Sequence, residues 1–230
     1  TVGKMNGKEW SCSFKGKKDH PKSTQGEFSK LIEKAGLHVH GDAMSGRNWM
    51  SAMQNLGLVY PRRNPDGRKI IVITPAGKQL KGADQEKMRS VIAYQLQKTQ
   101  YRNQTIKYVP DNMLLSPLYV VLKVIKGLKN LSQEEMAYFV MNVQNHRGIR
   151  KAILNIKQFR ERGTRPRQTN ATKEILRDYA SRFLRKTFVY AGYLVEEPRN
   201  TYQFDPTNIT EINKFLENEP KLKEKWAVTT

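Results

Sequence analysis

Hydrophobic residues near the start of the chain recur at the three- and four-residue spacing of an amphipathic helix. In GEFSKLIEKAGL, one apolar face is formed by Phe28, Leu31, Ile32 and Ala35, and Gly36 is a typical C-terminal cap. The pattern predicts a first helix that ends near residue 36.

A second helix is predicted over residues 45–56, in the stretch SGRNWMSAMQNLGLV. Ser45 is positioned to cap its start and Gly57 to end it. Its apolar face is formed by Trp49, Ala52, Met53 and Leu56. Its other face is polar without any Glu or Lys, and it carries Ser45, Arg47, Asn48, Ser51, Gln54 and Asn55.

Two β-strands and a further helix are predicted directly after this helix. LVY and KIIVIT have the composition of strands, and NPDG between them is typical of a turn. TPAGKQL then opens a helix. Helix, hairpin and helix in this order are the layout of a winged helix-turn-helix. The hairpin is basic at or near its tip, where it carries Arg62, Arg63, Arg68 and Lys69.

The polar face of the second helix has the side chains that recognise bases in duplex DNA. A helix about 10 to 12 Å across fits the major groove, where each base pair displays its own donors and acceptors. Arg47 is suited to bidentate pairing with guanine, and Asn48, Gln54 or Asn55 to pairing with adenine. The hairpin cations would contact phosphates, which orient a protein but carry no sequence information. A solvated face on a domain that contacts protein is the alternative.

The middle of the chain begins with a predicted helix over residues 84–101 and contains a domain boundary. DQEKMRSVIAYQLQKTQY has apolar residues at helical spacing, whereas RNQTIKYVPDN has no period and contains Pro110. We therefore expect a first domain at residues 1–110 and a second at residues 111–230. A chain of 230 residues is long enough for two such domains.

The second domain is predicted to repeat the order of helix and hairpin. SPLYVVLKVIKGL predicts an apolar helix with Pro117 at its opening position, and Ser132 with Glu135 predicts a capping box for the next helix. Helices are then predicted over residues 148–161 and 172–190, and YLVEE and TYQFD predict a second hairpin. The expected fold is mainly α-helical with small β-hairpins, in two subdomains that resemble winged helix-turn-helix domains.

The charge of the chain indicates a polyanionic partner. There are 41 Lys and Arg against 21 Asp and Glu, which gives a net charge of +20. Residues 1–83 carry +9 and residues 144–190 carry +10, whereas residues 84–143 carry +3 and residues 191–230 carry −2. Two basic regions on either side of a nearly balanced middle predict two contact regions on DNA.

The second basic region supplies further candidate contacts. Candidate base-reading side chains lie in the loop RERGTRPRQTN and the helix after it, and they are Arg165, Arg167, Gln168, Asn170, Lys173 and Arg177. Glu174 and Asp178 are the only acids that could pair on that helix, which weakens its interpretation as an ordinary solvated face. Candidate phosphate contacts outside the first hairpin are Lys15, Lys17, Lys18, Lys22, Arg160, Arg162 and Arg182.

The composition gives little support to secreted or membrane proteins. Cys12 is the only cysteine, so no intramolecular disulfide can form and a cytoplasmic protein is expected. No apolar run approaches the roughly 20 residues that a membrane span needs, and the first residues lack the apolar core of a signal peptide. Because the chain begins at Thr1 and not at Met, we expect a fragment or a processed product.

Several segments together resemble a family of DNA-cleaving enzymes. They occur in the order WSCS, ITPAGKQL, LSPLYVVLKVIKGLKNLSQEEMAYFV, ILNIKQFRER and FVYAGYLVEEPRNTYQFDP, over about residues 10–210. This order is similar to the N-terminal DNA-recognition region of type IIS restriction and nicking endonucleases of the AlwI kind. The resemblance implies a module that binds a short asymmetric duplex site. It also implies a separate C-terminal nuclease domain, absent from these residues, that cuts outside the site with Mg²⁺.

No catalytic residue, metal site or cofactor is expected in this chain itself. A Mg²⁺-dependent nuclease of this kind needs an acid ahead of an acid-x-Lys triplet. Only Glu219 to Lys221, with Asp205 upstream, has that spacing, and it lies in a polar tail. His38 and His40 could face one metal ion, but a structural or DNA-facing loop is the favoured interpretation.

The sequence therefore predicts a monomer in which two unlike winged modules contact one stretch of double-stranded DNA, with a fused or separate nuclease as a further partner. One alternative is a free-standing tandem winged-helix transcription regulator, which would usually dimerise on a palindrome. Another is a protein that binds structured RNA, whose deep, narrow groove could not admit the helix that carries Arg47.

Overall fold

The structure is a computed structural model, and it describes residues 52–63, 65, 69–101, 114–163 and 182–223. Contacts divide the chain into two units, Thr1–Val91 and Ile92–Thr230. The division therefore falls earlier than the boundary that the sequence predicts near residue 110. Helices and small antiparallel sheets make up the described part of the chain.

The first unit is built around an antiparallel hairpin, as predicted. Strand β1 (Val59–Arg63) pairs with strand β2 (Lys69–Ile73), in a register that sets Arg63 opposite Lys69. Side chains alternate along a strand, and Val59, Ile71 and Ile73 on the inner face are buried, although Pro61 on that face is exposed. The core beneath it is formed by Met53, Leu58, Val59, Ile71, Ile73 and Val91.

A short helix, α1 (Pro75–Gln79), follows the hairpin, and Thr74 is the residue that caps its start. The Thr74 hydroxyl accepts a hydrogen bond from the Gly77 N–H, which caps the start of the helix. The same oxygen lies 2.7 Å from the Gly57 carbonyl oxygen and 3.0 Å from that of Leu58. One side chain thus joins the start of α1 to the segment that precedes β1.

Gly77 allows α1 to approach that segment closely. A Cβ atom at this position would overlap the Leu58 carbonyl oxygen and lie 2.8 Å from Cγ2 of Ile73. We expect Gly77→Ala to lower the free energy of unfolding of the first unit by about 2 kcal/mol, although alanine is the better helix former. Urea unfolding measures the change, with Lys78→Ala on the exposed side of α1 as the control. An unchanged midpoint for Gly77→Ala would contradict this packing.

The helix predicted over residues 84–101 is confirmed as α2 (Gln85–Lys98). Asp84 precedes it, and the Asp84 Oδ1 accepts a hydrogen bond of 2.7 Å from the Lys87 N–H in its first turn. The division between the two units falls inside it, between Val91 and Ile92. A single helix therefore contributes residues to both units.

Helix α3 (Pro117–Leu128) contributes much of the buried core in the described part of the second unit. Eight of its 12 residues are buried, in agreement with its apolar sequence, and Pro117 lies in its first turn as predicted. Although α3 is strongly apolar, no helix within the described ranges has both the length and the apolarity to cross a membrane.

The predicted capping box is confirmed, but a regular α-helix does not follow it. Strand β3 (Leu131–Ser132) leads into the one-turn helix α4 (Gln133–Glu135). The Ser132 hydroxyl accepts from the Glu135 N–H at 3.1 Å, and a Glu135 carboxylate oxygen accepts from the Ser132 N–H at 2.8 Å. The chain then continues as a π-helix (Met136–Val140).

Helix α5 (Ile149–Arg162) confirms the helix predicted over residues 148–161. Ala152 and Ile156 are buried on its inner face, which packs against α3. Gly163 ends the helix in a left-handed conformation, with φ of 67°. A π-helix occupies Arg182–Val189, within the range where the sequence predicts an α-helix over residues 172–190.

A three-stranded sheet and a final helix complete the described part of the second unit. Strands β4 (Leu194–Glu197) and β5 (Thr201–Phe204) form the predicted second hairpin, and β5 also pairs with β3. The order in the sheet is β3-β5-β4. Helix α6 (Ile209–Glu217), which the sequence does not predict, packs on α3.

Candidate nucleic-acid interface

The outer face of the β1–β2 hairpin carries exposed side chains that suit a phosphate backbone. Tyr60 and Arg62 alternate along β1 with the buried Val59, so they point away from the core. Arg62 is exposed, and Tyr60 is 43% exposed. Arginine and tyrosine both donate hydrogen bonds to phosphate oxygens in DNA complexes. The position of Arg62 is therefore compatible with its predicted phosphate contact.

The tip of the hairpin brings two basic positions together. Arg63 and Lys69 are the last paired residues before the turn, and they lie directly opposite each other. Their side chains and the whole of Arg68 lie outside the described part of the structure. The phosphate contacts predicted for these three residues stay predictions.

The predicted base-reading helix is described only over its last turn. Residues 52–55 are helical, and Met53 is buried in the core of the first unit. Gln54 and Asn55 are half-buried, and Asn55 also interacts with another residue of the protein. The remaining base-reading candidates of this helix lie outside the described residues, and they are Ser45, Arg47, Asn48 and Ser51.

Arg160 is partly exposed, but it is bound to other residues of the protein and is not a free surface cation. Its Nε donates to Glu135 Oε1 at 2.6 Å and its Nη2 donates to Glu135 Oε2 at 2.9 Å. Nη2 also donates to the carbonyl and side-chain oxygens of Asn130, at 3.0 and 2.9 Å. Hydrogen bonding to Glu135 raises the pKa of Arg160. This geometry favours a structural role for Arg160 over the phosphate contact that the sequence predicts.

The outer face of α5 is largely exposed and is rich in cations. Arg162, a predicted phosphate contact, is exposed in the last turn. Besides Arg160, whose guanidinium is bound to Glu135, the other exposed polar residues of the helix are Arg150, Lys151, Lys157, Gln158 and Glu161. None of these five residues is among the DNA contacts that the sequence predicts, although the sequence shows their helical spacing.

Most other predicted contacts lie outside the described part of the chain. Arg182 belongs to the second π-helix, but its side chain lies outside the described part of the chain. The candidate phosphate contacts of the N-terminal arm and the candidate base contacts of the second unit lie wholly outside the described residues. These residues are Lys15, Lys17, Lys18, Lys22, Arg165, Arg167, Gln168, Asn170, Lys173 and Arg177, and their roles stay predictions.

Glu219 of the acid-x-Lys triplet contacts a histidine. Its Oε1 lies 2.7 Å from His146 Nδ1, and His146 Nε2 accepts a hydrogen bond of 3.0 Å from the Ser116 N–H. Because Nε2 accepts, the ring proton is on Nδ1 and is donated to Glu219. The imidazole also packs on Tyr119, with 4.8 Å between ring centroids. Burial, and to a smaller extent the Glu219 charge, raises the pKa of Tyr119.

Asp205, the upstream acid of the triplet, caps a short 3₁₀ turn. Its Oδ1 accepts hydrogen bonds from the Thr207 N–H at 2.9 Å and from the Thr207 hydroxyl at 2.6 Å. Asp205 and Glu219 thus both have structural partners. Among the residues that the structure describes, no three His, Cys, Asp or Glu side chains are grouped so that they could hold a metal ion. His38 and His40 lie outside those residues.

The chain matches a known family and is similar in fold to a solved structure. The model of the AlwI restriction endonuclease family matches residues 54–225, a range that contains the hairpin, α5 and the sheet. The fold resembles the BpuJ1 endonuclease binding domain in its crystal structure with pyrene- and phenanthrene-modified DNA, with a TM-score of 0.59 and 17% identity. The superposition covers 88% of this chain and 76% of that one. No curated protein matches the sequence.

Proposed function

This chain belongs to the AlwI restriction endonuclease family, and from that premise we propose that it binds a short asymmetric site in double-stranded DNA. In this proposal it is the recognition part of a type IIS restriction or nicking endonuclease. The observation that carries the proposal is the extent of the family match, because residues 54–225 include the exposed Arg62 and the exposed cationic face of α5. The net charge of +20 supports a polyanionic ligand.

The first unit would contact DNA as a winged helix. In this proposal the helix that ends at residue 55 enters the major groove, where Arg47 and its polar neighbours pair with base edges. The β1–β2 hairpin acts as the wing, and Arg62 contacts the phosphates beside the groove. The buried Met53 fixes the end of that helix to the core on which the hairpin lies.

The second unit would supply a different set of contacts to the same duplex. Its basic residues occur on α5 and in the segment from 164 to 181, and its hairpin follows them in the chain. Two unlike contact regions in one polypeptide allow a monomer to recognise a sequence without twofold symmetry, whereas a symmetric dimer favours a palindrome. We propose that a fused or separate nuclease, with Mg²⁺, performs any cleavage.

Selection of bound sequences from random duplexes tests this function. We expect the purified chain to select one asymmetric motif at physiological salt and to elute as a monomer in gel filtration, with and without that duplex. A dimer on a palindromic motif would indicate a free-standing regulator. A preference for duplex RNA, or no preference among DNA sequences, would also contradict the proposal.

Two substitutions in the first unit separate base contacts from phosphate contacts. We expect Arg47→Ala to relax the choice of base at one position and to weaken the selected site by about 1 to 3 kcal/mol. We expect Arg62→Ala to weaken all sequences alike, because phosphates are the same at every site. Titration of selected and random duplexes measures both. If the two variants lose the same affinity on both duplexes, the helix with Arg47 does not contact bases.

A further inference from the structure

One exposed face of helix α5 carries a row of four polar side chains. Lys151, Asn155, Gln158 and Arg162 follow one another at intervals of four, three and four residues. A helix repeats every 3.6 residues, so this spacing places all four side chains along one side of it. We call this row the α5 stripe.

The α5 stripe is open to solvent and unoccupied by other parts of the described chain. Lys151, Gln158 and Arg162 are exposed, and Asn155 is half-buried. Within the residues that the structure describes, none of the four side chains makes a hydrogen bond or an ion pair. Their donors and acceptors are therefore available to a ligand.

The opposite face of α5 holds the helix firmly in the second unit. Ile156 is fully buried, and Ala152 is 4% exposed. The Arg160 guanidinium, on the same inner side, is bound to Glu135 and to Asn130 through hydrogen bonds of 2.6 to 3.0 Å. A site on a packed helix loses little conformational freedom when it binds, which favours affinity.

The side-chain types in the α5 stripe are those that recognise base edges. Lysine and arginine pair with guanine O6 and N7, and asparagine and glutamine pair with adenine N6 and N7. An ordinary solvated face is dominated by Lys and Glu, whereas the one acid of α5, Glu161, lies outside the stripe. Asparagine is a weak helix former, so helix stability does not explain Asn155.

The flanks of the stripe fit a groove. Arg162 lies eleven positions after Lys151, a rise of about 16 Å at 1.5 Å per residue, which extends over four to five base pairs at about 3.4 Å each. Arg150 and Lys157 lie beside the stripe and are exposed, in position for phosphates. Leu154 is 50% exposed between the cations, and a leucine there offers an apolar contact to a thymine methyl group.

We propose that the α5 stripe is the base-reading surface of the second unit and that α5 lies in the major groove when DNA is bound. This inference rests on the proposed function, because it names the surface with which the second unit would read the site. It assigns base contacts to Lys151, Asn155, Gln158 and Arg162 in addition to the candidates after residue 164. Arg162 thereby changes from a phosphate contact to a base contact.

Sequence selection with stripe variants tests the inference. We expect Asn155→Ala with Gln158→Ala to relax the motif at one or two adjacent positions and to weaken binding to the wild-type motif by about ten- to hundredfold. We expect the affinity for random duplex to stay within about twofold, because the change removes no charge. Lys157→Ala, on the same helix outside the stripe, is the control, and it is expected to weaken both duplexes while it keeps the motif.

Two further measurements separate the possible failures. Thermal unfolding of each variant shows whether a loss of binding comes from a loss of folding. The single variant Gln158→Ala is included because replacement of an exposed glutamine is expected to leave the melting temperature unchanged. If the wild-type chain selects a motif and the stripe variants select the same motif with the same affinity, the inference is wrong and the proposed function stands. If the wild-type chain selects no motif, the proposed function itself fails.

Discussion

Arg160→Ala is expected to lower the free energy of unfolding of the second unit by about 3 kcal/mol. The change would leave the Glu135 carboxylate, which is 5% exposed, without its counter-charge and with only the Ser132 N–H as a hydrogen-bond donor among the described residues. A buried charge without a partner is costly because the interior solvates it poorly. The value is at the lower end of its range because the Arg160 side chain is itself 34% exposed. Urea unfolding followed by circular dichroism measures it.

Arg162→Ala is the matched control for this experiment. Arg162 belongs to the same turn of α5 and has the same charge, but it is exposed and makes no ion pair within the described residues. We expect its loss to change stability by less than about 0.5 kcal/mol. Arg160→Lys keeps the charge but not the two parallel hydrogen bonds, so an intermediate loss is expected. Equal effects of Arg160→Ala and Arg162→Ala would show that the Glu135 contact contributes nothing.

The two arginines should also differ in DNA binding. Because Arg160 is bound to Glu135, its replacement should leave the affinity for DNA largely intact at temperatures where the variant is folded. Arg162 is open to solvent, so its replacement should weaken DNA binding while the protein keeps its stability. If Arg160→Ala weakened DNA binding and Arg162→Ala did not, Arg160 would be a phosphate contact, as the sequence predicts.

The sequence predicts correctly those elements that depend on interactions between residues close together in the chain. The Ser132–Glu135 capping box, Pro117 in the first turn of α3 and the strands on either side of the first turn all depend on residues close together in the chain. Each pattern has a physical cause within a few residues, and each is present in the structure. Helix α5 is found within one residue of its predicted bounds for the same reason.

The sequence does not predict features that depend on distant partners. Strand β3 has only two residues, and it is a strand because β5, about 70 residues later, pairs with it. Glu135 completes its cap locally, but Arg160, which holds it, is 25 residues away. The π-helices also escape prediction, because the apolar spacing of MAYFV in Met136–Val140 does not distinguish a π turn from an α turn.

The candidate site shows the same division. Exposure of Arg62 follows from the alternation of the hairpin, which the sequence displays. Arg160 and Arg162 lie two residues apart in one polar stretch of the sequence. Only the hydrogen bonds of Arg160 to Leu128 of α3 and Glu135 of α4 distinguish it from Arg162. The spacing of the α5 stripe is visible in the sequence, but the structure is needed to show which side of the helix is buried.

DNA binding by this chain is expected to weaken by about 10³- to 10⁵-fold when salt rises from about 50 to about 200 mM. This range corresponds to six to ten phosphate contacts, each of which releases counterions that the duplex had condensed. The proposed contacts reach that number without Arg160, since the N-terminal arm, the first hairpin and the second unit all contribute cations. The slope of the logarithm of affinity against the logarithm of salt concentration, measured on the selected duplex, gives the number directly.

Substitutions should change this slope according to charge and position. We expect Arg62→Ala to reduce it by about one unit, because one phosphate contact is lost. Lys214→Ala removes the same charge from α6, where no contact is proposed, and should leave the slope unchanged. Gln158→Ala should also leave it unchanged while it weakens the selected site, because a neutral side chain releases no counterion. A slope near zero for the wild-type chain would mean that the basic residues behind its net charge of +20 do not contact phosphates.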